Sequence, residues 1–226
     1  MVQSYDPTLL GRLVATRFLG FTCDSCTYCL RGLQTSCPRQ VNLPKDVQGT
    51  FREYANIPTS CLLPLPQELE SIPSADLGDE ITKYCAALCS GSTALRALRT
   101  ANNRPGDVVI VVGAAGGIGH LIGMMARQVF GLKVIAVDRA SQLRKLPTET
   151  AKLLAHTFIQ APEILEKRES ALHEFRNQLF EACSRLRGGS GIARGAESII
   201  VAASKISAFW GVEDYVCDGG NIVCVG

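Results

Sequence analysis

From residue 107 onward, short apolar runs alternate with amphipathic stretches. Asp107–Val112 is a continuous β-branched run, the pattern of a strand buried on both faces. Apolar residues at helical spacing follow from His120 to Phe130, and Lys133–Val137 is a second buried-strand pattern that ends at Asp138. These segments predict one strand–helix–strand unit with a right-handed crossover. Further strands are predicted at Thr157–Ile159, Ser198–Val201 and Asn221–Val225. Pro162–Arg187 reads as a long helix, with Leu172, Phe175, Leu179, Cys183 and Leu186 as a core-facing stripe. Gly188–Gly191 is expected to end it as a loop. The pattern predicts an α/β fold.

The first part of the chain reads differently. Leu13–Leu19 suits one strand. Pro38, Pro44, Pro58, Pro64, Pro66 and Pro73 then break the chain into short strands and loops, since proline removes a donor and fixes φ. A helical pattern begins near Ser74, is interrupted around Cys89–Gly91 and resumes to about Ala101. The turn cluster Asn102–Gly106 is expected to separate two architectural parts.

Composition narrows the function. The 226 residues are 46% hydrophobic, enough for one large domain or two small ones. Net charge is +2, from 23 basic and 21 acidic residues, so no electrostatic footprint for nucleic acid exists. No apolar run of about eighteen residues suggests a membrane span. The N-terminal segment lacks the apolar region of a signal peptide. Ten cysteines without such a signal point to a reducing compartment, the cytoplasm.

Two motifs carry chemistry. Cys23, Cys26, Cys29 and Cys37 form a CxxCxxCx7C run in a turn-rich segment. Four thiolates suit a tetrahedral zinc site, and with no position left for water such a zinc is structural. Two disulfides, or four unrelated buried thiols, are the alternatives. The second motif is Gly113-Ala-Ala-Gly116-Gly117-Ile118-Gly119, between a strand and a helix. Glycine lets backbone N–H groups approach a phosphate, and the helix end adds partial positive charge. On this reading Gly116 makes the tight turn and approaches the pyrophosphate, Gly117 lies against the ligand, and Gly119 lets helix and strand pack closely. Asp138, nineteen residues after Gly119 at a strand end, is placed to accept from the adenosine ribose hydroxyls. Its charge favours NAD over NADP, while Arg139 beside it could accommodate a 2′-phosphate. The alternative for Asp138 is a solvated turn residue.

These motifs resemble zinc-dependent alcohol dehydrogenases of the medium-chain dehydrogenase/reductase superfamily, in their yeast type. The cysteine run is similar to their structural-zinc lobe. Gly49-Thr-Phe-Arg-Glu-Tyr54 is similar to the strand after it, and Cys89-Ser-Gly-Ser-Thr-Ala-Leu-Arg-Ala-Leu98 to their Cys-Ala-Gly segment, which opens a helix. The glycine run is the one those enzymes use for NAD. The resemblance implies that residues 1–88 are part of a β-rich GroES-like domain with the zinc lobe. Residues 89–226 would be an incomplete Rossmann domain of about five parallel strands. It implies zinc and NAD as cofactors, a small alcohol or aldehyde as substrate, and homo-oligomers. Gly116, Gly117, Ile118, Gly119, Asp138 and Val225 would contact the cofactor, and Cys89 would be the third ligand of a catalytic zinc.

Its other two ligands, a cysteine and the His of a Gly-His-Glu motif, have no counterpart. The three histidines, His120, His156 and His173, stand in other contexts. His120 is expected to cap or face solvent, and His156 and His173 read as helix residues. Leu143, followed by Arg144, lies near the place of the family's lysine beyond the acid. The chain thus reads as the middle of an alcohol dehydrogenase, short at both ends, with weakened or absent activity. One alternative is a non-catalytic NAD- and zinc-binding relic or regulatory module. Another is a zinc-free quinone or enoyl reductase of the same superfamily, against which the four cysteines argue.

Overall fold

The computed structural model describes residues 6–162, 169–189 and 194–225. It divides into two compact units, Met1–Cys85 and Ala86–Gly226.

The first unit contains β1 (Val14–Thr16), β2 (Leu19–Phe21), α1 (Thr27–Leu30), β3 (Val41–Asn42), β4 (Leu62–Pro64) and all but the last residue of α2 (Ser74–Ala86). β1 pairs antiparallel with β4, and β2 pairs antiparallel with β3. The single strand expected at Leu13–Leu19 is therefore two strands in two sheets. The Arg17 N–H turns to the carbonyl of Cys61 at 2.9 Å, and its guanidinium to the carbonyl of Ser60 at 2.6 Å. A change of pairing partner leaves no mark on apolar periodicity. The strand expected at Gly49–Tyr54 does not form. The Arg52 N–H closes a tight turn on the Thr50 carbonyl at 2.8 Å, and Phe51 and Tyr54 are exposed. A strand exists only where a neighbour takes its backbone groups, and among the described residues none does here.

The second unit opens with a π-turn over Ala87–Gly91, then α3 (Ser92–Ala101), β5 (Val108–Val112), α4 (Gly117–Gln128) and β6 (Lys133–Asp138). α5 (Ala140–Leu143), α6 (Thr148–Leu154), β7 (Thr157–Gln160), α7 (Glu169–Leu186), β8 (Ala196–Val201) and β9 (Val216–Cys224) follow. The break expected around Cys89–Gly91 is a wide turn within a continuous helix. The Cys89 carbonyl accepts from the hydroxyls of Ser92 and Thr93, at 2.9 and 3.2 Å. α3 ends at Asn102, whose φ of +53° is left-handed. The turn cluster 102–106 then leads into β5 inside the second unit, so it does not divide the chain. The start of the helix expected from Pro162, and part of the loop at 188–191, lie outside the described residues.

All five strands of the larger sheet are parallel, in the order β7-β6-β5-β8-β9. Every β5 residue is buried, and its side chains alternate between two cores. Val109 and Val111 pack with Leu98, Ile122 and Leu154 from α3, α4 and α6. Val108, Ile110 and Val112 pack on the other face with Leu179 and Cys183 of α7. Each such aliphatic side chain contributes on the order of 1.5–3 kcal/mol by burial. Leu179 and Cys183 of the predicted stripe are fully buried, Phe175 and Leu186 are partly so, and Leu172 is exposed. Strand order reverses at the β5/β8 boundary, so a crevice for ligands is expected beyond the carboxyl ends of these strands. Among the described residues, no helix is long and apolar enough to cross a membrane.

Candidate metal centre and dinucleotide site

The four cysteines of the first unit converge. Cys26 Sγ lies 3.5 Å from Cys29 Sγ, Cys37 Sγ 3.5 Å from Cys23 Sγ, and Cys23 Sγ 3.9 Å from Cys29 Sγ. All four sulfurs lie within 4.8 Å of one another, and none is in a disulfide. Zn–S bonds of about 2.3 Å in a tetrahedron put sulfurs about 3.8 Å apart, so the set fits zinc. Local structure explains the convergence. Cys26 immediately precedes α1, which carries Cys29; Gly32 turns the chain at a φ of +72°; and the 3-10 turn Gln34–Ser36 delivers Cys37. The backbone N–H of Ser25 holds the Cys23 thiol down to about 5, and Arg39 lies beside it. Burial pushes the Cys29 thiol up to about 12. Crowded thiols resist joint ionisation, and a divalent cation among them removes that conflict.

The glycine run lies between β5 and α4 in the second unit. Its first amides are tied to β6. Gly113 and Ala114 donate to the Val137 carbonyl at 2.8 and 3.2 Å, and Ala115 donates to Asp138 Oδ2 at 2.9 Å. The Gly116 N–H closes a turn on the Gly113 carbonyl at 3.1 Å. The next three, Gly117, Ile118 and Gly119, have no acceptor among the described residues and stand free at the start of a twelve-residue helix. A Cβ on Gly117 would meet nothing within 4 Å, which leaves that face open. A Cβ on Gly119 would stand 2.0 Å from the Gly113 carbonyl oxygen, so close packing requires glycine there. Gly116 closes the tight turn expected of it, and the left-handed residue at the start of that turn is Gly113. Gly113 has a φ of +82°, and its Cβ would lie 2.9 Å from the Ala202 carbonyl, whereas Gly116 is extended at −79°. Its place directly after the β-branched run was the available signal.

Asp138 ends β6 half-buried, with Oδ1 accepting the Arg139 N–H at 2.8 Å. Arg139 is exposed. His120 sits in the first turn of α4, its Nδ1 2.9 Å from the Gly116 carbonyl oxygen, a contact the sequence did not reveal. His156 is not helical. It lies between α6 and β7, and its Nδ1 accepts the Val134 N–H at 3.0 Å. Burial, then Arg127 and Lys133, lower its pKa. His173 lies in α7, with Asn177 Nδ2 3.2 Å from its Nδ1. Val225 follows β9 and donates to the Val201 carbonyl at 2.9 Å. Cys89 is exposed in the π-turn. Among the described residues, Cys23, Cys26, Cys29 and Cys37 are the one group of three or more metal-ligating side chains, so Cys89 has no gathered partners. An apolar groove of about 440 Å³ in the first unit, between Phe21, Val41, Leu43 and Pro58, includes neither the cysteines nor the glycine run.

This fold is a five-stranded parallel α/β unit with a glycine-rich strand-to-helix loop, and the chain's other unit is small and carries the cysteine lobe. In sequence, the chain's relatives are alcohol dehydrogenases, and the resemblance read from the two motifs stands. It is 34% identical over 137 residues to an alcohol dehydrogenase of Geobacillus stearothermophilus, covering 61% of this chain and 37% of that enzyme. A second alcohol dehydrogenase of that species is 28% identical over 217 residues, covering 96% of this chain and 54% of that enzyme. The fold matches a crystal structure of a short chain alcohol dehydrogenase from Escherichia coli complexed with NADH. There the TM-score is 0.71 at 20% identity, over 99% of this chain and 56% of that one. No family model matches the chain. The chain spans about half the length, or less, of these curated relatives.

Proposed function

We propose that this chain binds NAD and structural zinc as a protein of the alcohol dehydrogenase type. Its reaction class would be hydride transfer between a small alcohol and nicotinamide. The observation that carries the reading is the trio of free amides at Gly117, Ile118 and Gly119, with Asp138 at the adjoining strand end. Three N–H donors at the positive end of a helix suit a pyrophosphate. A carboxylate beside them suits a ribose and disfavours a 2′-phosphate, hence NAD over NADP. Val225, just after β9, is held to the carbonyl of Val201 at the carboxyl end of β8, and it would contact the nicotinamide half of the cofactor. The NADH in the Escherichia coli structure and the alcohol dehydrogenase relatives support the assignment. The unpaired cysteines suit a reducing compartment such as the cytoplasm.

Cys23, Cys26, Cys29 and Cys37 would hold one zinc, which cross-links the lobe and leaves no site for substrate. A second, catalytic zinc does not fit the residues around Cys89, so no step is assigned to it. This isolation favours a second reading, an NAD- and zinc-binding module with little turnover. Zinc content, NAD titration and NADH production from ethanol and longer alcohols separate the readings. One zinc, NAD binding and no turnover support the module. Turnover near or above about one per second supports the enzyme. Failure to bind NAD overturns both.

A further inference from the structure

We infer that Asp138 is a positioning residue for the phosphate loop, fixing the glycine run so that the amides of Gly117, Ile118 and Gly119 converge. The inference rests on the dinucleotide reading above and changes what Asp138 does within it. After β5, three consecutive amides are tied to the end of β6. Gly113 and Ala114 share the Val137 carbonyl, and Ala115 is held by the Asp138 carboxylate at 2.9 Å. The other carboxylate oxygen is turned to the Arg139 N–H at 2.8 Å. Both oxygens therefore face backbone donors, and the side chain is directed into the loop.

The loop needs such a tether. Gly113-Ala114-Ala115-Gly116 carries only hydrogens and methyl groups, so it cannot hold itself with side chains. Its glycines make it costly to order. Among the described residues, just two side chains bond to it, Asp138 at Ala115 and His120 at Gly116. A charge-assisted bond to an amide is among the stronger tethers available. A carboxylate this close to an anion site is otherwise a liability, since it repels the phosphates. Preordering the amides offsets that repulsion, because the loop no longer has to be fixed on binding.

The test uses the full 226-residue chain with ADP and with 2′,3′-dideoxy-ADP, which has the diphosphate but neither ribose hydroxyl. Affinities come from calorimetry for wild type, Asp138→Ala and Asp138→Asn. Exchange of the Ala115 amide is followed by NMR in the ligand-free proteins. Positioning predicts that Asp138→Ala weakens both nucleotides alike, by roughly tenfold or more. It also predicts faster Ala115 exchange and partial recovery in Asp138→Asn, which keeps one acceptor oxygen. If ADP weakens while the dideoxy compound does not, Asp138 reads only the ribose and the inference fails. If wild type binds neither nucleotide, the dinucleotide reading fails. The exchange data then decide the tether alone: unchanged Ala115 exchange in Asp138→Ala overturns it, and accelerated exchange upholds it.

Discussion

Arg187 Nη2 lies 2.6 Å from Glu197 Oε1, joining the segment just after α7 to β8. Arg187 Nε reaches the same oxygen at 3.1 Å, while Glu197 Oε2 accepts the N–H of Val108, the first residue of β5. One carboxylate thus ties three segments at the amino end of the sheet. The side chains are only 13% and 28% exposed.

Removing that carboxylate leaves a half-buried guanidinium and an unpaired strand amide. Glu197→Ala is expected to cost about 2–3 kcal/mol, less than a fully buried pair because solvent reaches both groups. Glu197→Gln should cost less, since its amide oxygen can still accept. Urea midpoints measure both. A change under about 0.5 kcal/mol in Glu197→Ala would show the pair to be no more than a surface contact.

Two glycines of the loop should separate stability from binding. Gly119→Ala puts a methyl 2.0 Å from the Gly113 carbonyl, against backbone that cannot step aside. It should lower stability by about 2 kcal/mol or more and abolish NAD binding. Gly117→Ala meets no atom within 4 Å, so the fold should tolerate it. Its methyl would still crowd a phosphate over the amides, and NAD affinity should fall. Melting temperature and NAD titration on each variant check this. Unchanged NAD affinity in Gly117→Ala would mean that Gly117 does not face the ligand.

Metal removal should act on one unit. Cys29→Ser, or a strong chelator, is expected to release one zinc per chain and loosen the lobe between Cys23 and Cys37. The chain's one tryptophan, Trp210, lies in the second unit, so its fluorescence should report a sheet domain that stays folded. Zinc retained by Cys29→Ser at wild-type stoichiometry would contradict the four-sulfur site.

His156 predicts a pH dependence. Its folded pKa lies below the ordinary value of 6.5, chiefly through burial, and its unprotonated Nδ1 accepts the Val134 N–H. The contribution is therefore complete above about pH 6.5, where folded and unfolded forms are both neutral. It is lost as pH falls through the depressed folded value. The stability gap between wild type and His156→Asn should narrow from pH 7.5 to pH 5. The effect should be modest, because solvent reaches much of the ring. A gap that widens on acidification would reverse the assigned sign.

By itself the sequence determined the parallel sheet, the helix that starts in the glycine run, and the cysteine lobe. Each rests on a local property: a β-branched run such as Val108–Val112, helical spacing after His120, or thiols a few residues apart. Even Gly119 was legible, because helix and strand meet within six residues of Gly113. Tertiary structure decided the rest. It split Leu13–Leu19 between two sheets and left Phe51 and Tyr54 without a strand. It drew His156 out of a helix to serve the amide of Val134, twenty-two residues away. It put the left-handed residue of the loop at Gly113, against Ala202 just past the adjacent strand β8, and turned Asp138 onto Ala115. In each case a backbone group was matched to a partner distant in the chain. Local patterning fixes which face a residue presents and says nothing of which distant donor or acceptor will meet it.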